Sequence, residues 1–121
     1  MEQADIVKRE ILGMGLDDVT GLYEIIWRLN TLWPGMDIGK KYQLADGALR
    51  DLLKQNAVKV FKQWADHDQR RYEAVDPQKV DALLRSPENW YPSASDDPWS
   101  QMAYETTGVG EALNKKFYEP A

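Results

Sequence analysis

At 121 residues the chain fits one domain, and with 43% hydrophobic and 11% aromatic residues it lies outside the composition of disordered chains. It has no cysteine, which excludes a disulfide framework, a zinc ribbon and thiol chemistry. Fifteen basic residues against twenty acidic ones give a net charge of −5, so the molecule as a whole does not attract polyanions.

No apolar run approaches the roughly 20 residues of a membrane span. Met1 leads directly into Glu2, Asp5, Lys8 and Arg9, a helical rather than an export pattern, so a cytoplasmic home is expected by default. Glu2 to Met14 is expected to be a helix with Ile6, Val7, Ile11, Leu12 and Met14 near one face, loosened at its end by Gly13 and Gly15. Asp17 or Asp18 then offers a cap for a second helix from about Val19 to Trp33. Its stripe is Val19, Leu22, Tyr23, Ile26, Leu29 and Trp33, with Ile25 and Trp27 on the flanks, and Pro34-Gly35 stops it.

A third helix opens at Asp37. Ile38, Tyr42, Ala45, Leu49 and Leu52 recur at spacings of three and four, with Ala48 and Leu53 beside them. The stripe keeps its phase across Asp46-Gly47, so one continuous helix to Gln55 is expected. Asn56 suits a left-handed exit, and Ala57 to Lys62 alternates as a short strand. Gln63 to Arg71 reads as a polar loop around Trp64, followed by a possible strand over Tyr72 to Val75. Asp76-Pro77 is a helix start, Val80, Leu83 and Leu84 form that helix's buried edge, and Ser86-Pro87 ends it. Asn89 to Trp99 is an aromatic, proline-bearing loop, Gln101 to Glu105 a second strand, and Thr106 or Thr107 the cap of a last helix carrying Val109, Leu113 and Phe117.

Two stretches carry a resemblance. Ala48-Leu49-Arg50-Asp51-Leu52-Leu53-Lys54-Gln55-Asn56-Ala57-Val58-Lys59-Val60 is similar to the third helix of the winged-helix superfamily, ending in a left-handed residue and entering the first wing strand. Tyr104-Glu105-Thr106-Thr107-Gly108-Val109-Gly110-Glu111-Ala112-Leu113 resembles that family's returning wing strand and threonine-capped terminal helix. The resemblance covers about two thirds of the chain, by pattern rather than by invariant motif. It implies an α+β fold, mostly helical, with a winged-helix-like three-helix core, a small antiparallel sheet and additional helices in one domain, 1–121. It departs from the family in two places. The stripe runs unbroken where a turn between helices is usual, and a helix at Pro77 to Leu84 separates strands that the family joins by a tight hairpin.

Charge is unevenly placed. From Ile38 to Gln63 there are six basic residues and two acidic ones, a local +4, which leaves −9 for the rest of the chain. Lys40, Gln43, Gly47, Arg50 and Lys54 fall opposite the apolar stripe of the third helix. One reading is a recognition-type face tracking phosphates, with Lys59 and Lys62 assisting. The preferred reading is a solvated helix face, since a DNA-reading domain normally carries an overall basic footprint. Trp64, Trp90, Tyr91 and Trp99 fall in predicted loops. They are interface candidates because tryptophan and tyrosine anchor protein contacts, or else rings covering the ends of a small core, the preferred reading. Trp27 and Trp33 are assigned to the core.

Catalytic and metal signals are weak. His67, the one histidine, stands between Asp66 and Asp68 with no second histidine or cysteine to complete a metal shell, and reads as a loop tip. Asp17-Asp18 and Asp96-Asp97 read as cap and turn residues. Gly13-x-Gly15 and Gly108-x-Gly110 lack the remainder of a nucleotide fingerprint. These features lead to the expectation of a non-catalytic domain without metal or small-molecule cofactor. Its partner is expected to be another protein or a second copy, as an adaptor or neutralising partner, with DNA-binding regulation as the alternative.

Overall fold

The structure, a computed structural model, describes residues 2–66, 69–93 and 99–118, with Asp66, Arg70 and Trp99 described in their backbone alone. His67, Asp68, Asp96 and Asp97 therefore lie outside the described residues. The fold is α+β, with five α-helices and a four-stranded antiparallel sheet among the described residues.

α1 (Gln3–Asp17) runs straight through Gly13 and Gly15 rather than loosening there. Gly15 is buried for a packing reason. A Cβ at that position would lie 2.5 Å from Thr106 Oγ1 and 2.8 Å from the Tyr104 ring, so only glycine lets the sheet approach the helix this closely. After the helix comes a strand the sequence had not suggested, β1 (Thr20–Gly21). Pairing of these two residues delays α2 (Leu22–Leu32) by three positions from its expected start at Val19. Neither Asp17 nor Asp18 caps it. Asp18 instead accepts from Val19 N at 2.7 Å, and Glu24 reaches back to the Gly21 N–H at 2.7 Å.

α3 (Ile38–Lys54) is continuous, as its stripe predicts, and Asp37 caps it by accepting from Lys40 N at 3.2 Å. Asn56 leaves the helix at φ 57°, and β2 (Val58–Asp66) follows. Of the polar loop expected over Gln63 to Arg71, the residues on either side of His67 and Asp68 are instead the end of β2 and the first half of β3 (Gln69–Ala74). β2 is bonded on both sides, to β3 from Phe61 to Asp66 and to a later strand from Val58 to Ala65. Two ladders satisfy its backbone, so polar side chains do not disqualify it as a strand. α4 (Pro77–Arg85) begins at the Asp76 cap, which accepts from Gln78 N at 3.0 Å. A 3₁₀ turn over Pro87–Trp90 follows. β4 (Trp99–Thr106) then leads into α5 (Gly108–Tyr118).

The sheet order is β1-β4-β2-β3. Two hydroxyls fasten it to α1 across more than ninety residues of sequence: Tyr104 donates to Ile11 O and Thr106 to Leu12 O, each at 2.7 Å. The core lies between this face of the sheet and helices α1, α2 and α3, with Leu12, Leu22, Leu29, Leu49, Leu52 and Tyr104 fully buried. Leu113 and Phe117 of α5 pack against it, whereas Val109 is exposed. Ile38, in the first turn of α3, is exposed too. Among the described residues no helix is long and apolar enough to cross a membrane.

Candidate functional site

α3 carries the candidate basic face. Lys40, Gln43, Gly47 and Lys54 are exposed there, and beyond its chain neighbours and the helix's own backbone nothing lies within 4 Å of where a Gly47 side chain would begin. Arg50 differs from them. Its Nε donates to both Asp46 carboxylate oxygens at 2.9 and 3.0 Å, and its Nη1 pairs with Asp81 on α4. Burial alone would lower the Arg50 pKa, but the hydrogen bonds and charges of Asp81 and Asp46 outweigh it and hold the guanidinium above its ordinary value. Lys41 is also unavailable. It lies in the buried stripe at 4% exposure, and its ammonium donates to Asn30 Oδ1 at 2.9 Å. Two of the six cations that made this stretch basic are therefore turned inward or neutralised.

Strand geometry separates the other two members of the set. Lys59 and Lys62 are three residues apart in an unbroken ladder, so they belong to opposite faces of β2. Lys59 places its ammonium 5.4 Å from the Phe61 ring centroid, and Lys62 stands opposite Met102 on the other face. The structure thus does not bring all seven proposed nucleic-acid residues onto one surface.

The aromatic candidates also divide. Trp90 is 4% exposed. Its indole N–H donates to Leu84 O at 2.9 Å and its ring meets Tyr42 edge-on at 6.3 Å, so it is a core residue and not an interface anchor. Tyr91 beside it is 51% exposed, Trp64 is half-buried on β2, and the Trp99 side chain lies outside the described residues. The residue that sequence reasoning misplaced is Trp27, which is 57% exposed and packs edge-on against Tyr23 at 4.7 Å. A helical wheel could have found it. With Leu22, Ile25, Ile26 and Leu29 defining the buried stripe, Trp27 falls near the opposite side, beside Glu24 and Thr31.

One concave feature was not visible in the sequence. The end of α3, the start of β2, the end of β3 and α4 surround a cleft of about 660 Å³. Leu53, Val58, Val60, Val75, Val80 and Leu84 line it, with Arg50, Lys54, Lys59 and Asp81 also among the lining residues. Among the described residues no group of three histidine, cysteine or carboxylate side chains could hold a metal ion. Neither protein-family models, nor curated proteins, nor solved structures give a match to this chain.

Proposed function

We propose that this chain is a winged-helix-like, non-catalytic domain that works in the cytoplasm by binding another protein. Support for the winged-helix part comes from the antiparallel pairing of β2 with β4, from the left-handed exit at Asn56 and from the threonine cap of α5. β3 and α4 are then an insertion between the two wing strands.

The observation that carries the choice of partner is the Arg50–Asp81 ion pair. In the inserted α4, Asp81 takes up the guanidinium that a duplex would need and adds a carboxylate beside the face that would approach phosphates. Phosphate contacts supply most of the affinity of a DNA-binding domain, and each unneutralised carboxylate nearby opposes them. Exposed rings remain elsewhere, among them Trp27, Tyr72, Tyr91 and Tyr118, and such rings are favoured anchors of protein contacts. A second reading, a DNA-binding regulator, draws on the open surface around Gly47 flanked by exposed Lys40, Gln43 and Lys54.

Two measurements made side by side test the proposal. Affinity capture should return a stoichiometric partner, another protein or a second copy, that is lost on Trp27→Ala with an unchanged circular dichroism spectrum. A duplex titration at low salt should show no binding. Duplex binding that weakens steeply with salt, with a flatter slope after Lys40→Ala and Lys54→Ala, would replace this proposal with the DNA reading.

A further inference from the structure

We infer that β3 is the pairing edge of a two-fold homodimer. The β3 strands of two copies lie antiparallel about Tyr72, so that Arg71 of each copy faces Glu73 of the other, and one sheet runs through both. This contact is separate from the proposed partner held through Trp27, and neither depends on the other.

β3 ends the sheet order, and among the described residues no other strand bonds its outer side. Val75 N donates to Val60 O at 3.1 Å, in the same register that pairs Phe61 with Ala74. Antiparallel ladders alternate along a strand, so Gln69, Arg71 and Glu73 turn their N–H and C=O groups to β2. Arg70, Tyr72 and Ala74 turn theirs away from the sheet. Such a row of unpaired backbone groups is a template for another strand. The strand is six residues long, with no proline, glycine or bulge to interrupt it. At the opposite edge β1 has two residues, too few to serve in the same way.

Charge selects the occupant and the register. Outward groups must meet outward groups, so even-numbered residues pair with even-numbered ones and odd with odd. Centred on Tyr72, this sets Tyr72 against its own copy and Arg70 against Ala74, each pair exchanging two backbone bonds. Arg71 then meets Glu73 at the unbonded positions between, where Cα atoms lie about 4.5 Å apart and opposite charges attract. Centred on Arg71 instead, the two arginines would face each other; centred on Glu73, the two glutamates would. Charges commonly guard an edge strand against pairing. Here they oppose the neighbouring registers and favour one. Arg71 and Glu73 share a face of β3, both are exposed, and among the described residues neither makes an ion pair. Lys62 stands opposite Glu73 on β2, so in the dimer each Glu73 lies between Lys62 of its own copy and Arg71 of the other. Tyr72, 50% exposed on the opposite face, meets its own copy across the axis.

Sedimentation of the full chain over a range of concentrations tests the pairing, and a monomer–dimer equilibrium is expected. Tyr72→Pro removes an outward N–H that β2 does not use, so it should abolish the dimer and leave the circular dichroism spectrum unchanged. Arg71→Glu and Glu73→Arg each set like charges against each other in both unbonded pairs, and each alone should weaken the dimer about tenfold or more. An equimolar mixture of these two variants restores opposite charges in both pairs, so its mixed dimer should form as tightly as that of the wild type. A chain that stays monomeric up to about 1 mM would overturn the inference while leaving the Trp27 contact standing. A dimer unaffected by Tyr72→Pro would overturn it, and so would a mixture that associates no better than its components. Trp27→Ala should leave this dimer intact; its loss in that variant would place the second copy on α2 and overturn the edge pairing.

Discussion

Arg50 of α3 reaches across to pair with Asp81 of α4 while its Nε is held by Asp46, one turn back on its own helix. α4 is thereby fixed beside the face that would otherwise present a free arginine. Asp81 is about half exposed, and exposed pairs contribute about 1 kcal/mol or less. Asp81→Ala is therefore expected to lower the thermal midpoint only slightly and to leave duplex binding undetectable. A stability measurement and a low-salt duplex titration on the same sample check both. The appearance of salt-sensitive duplex binding in this variant would mean that Asp81 masks a working recognition face.

Trp90 and Trp27 test the distinction between core and surface. Trp90 is packed on Tyr42 with its indole N–H satisfied by Leu84 O, so Trp90→Ala removes a large buried ring and leaves that carbonyl unpaired. A loss of about 3–5 kcal/mol is expected in denaturant unfolding. Trp27→Ala, at a position more than half exposed, should change stability by less than about 0.5 kcal/mol. Similar costs for the two replacements would show that Trp27 is structural and remove it as an anchor.

What could be read in the sequence was the local chemistry. Asp37, Asp76 and Thr107 cap their helices because a short side-chain acceptor placed just ahead of a helix meets free N–H groups whatever surrounds it. The continuity of α3 across Asp46-Gly47 followed from the phase of its stripe, which a single glycine does not alter. What escaped was pairing at a distance. β1 is a strand only because Thr20 and Gly21 meet Tyr104 and Ala103, more than eighty residues later. Gln63, at the second strand's polar end, is 8% exposed because ladders close on both sides of it. The burial of Lys41 required knowing that Asn30 would face it, and the cleft required knowing where α4 would be tied.

Tyr104 makes stability fall in alkali. Burial, and secondarily the negative charge of Glu24, raise its phenol pKa well above the ordinary value of 10.0. The unfolded chain ionises this tyrosine first, so its contribution is complete below about pH 10 and is lost as pH rises towards the folded-state value. Tyr42, raised mainly by burial, adds a smaller effect of the same sign. Tyr104→Phe should cost about 1–1.5 kcal/mol at neutral pH through the lost bond to Ile11 O. It should also reduce the further loss between about pH 9 and pH 11 relative to the wild type. Parallel urea titrations at the two pH values measure the difference, and identical alkaline losses in both proteins would remove Tyr104 as the cause.

The turn from α3 into β2 is held from outside by α5. The Thr107 hydroxyl donates to Asn56 O at 2.6 Å and accepts from Gly110 N at 3.1 Å, and Thr107 N donates to Ala57 O at 3.0 Å. Asn56 itself stands at φ 57°, where a side chain with a Cβ costs about 1 kcal/mol and glycine costs none. Asn56→Gly is thus expected to be neutral or stabilising, whereas Asn56→Val should lose more than 1 kcal/mol, roughly, because a β-branched residue tolerates this region least. Thr107→Val removes both hydroxyl bonds while keeping the shape, with an expected cost of about 1–2 kcal/mol. Gly110 has no room for any substitution, since a Cβ there would collide with Ala57 O. Because both residues act on one junction, Asn56→Gly and Thr107→Val should not be additive. A double-mutant cycle by denaturant unfolding reads the coupling. A coupling near zero would mean that α5 and the α3–β2 turn are stabilised independently, despite the hydrogen bond between them.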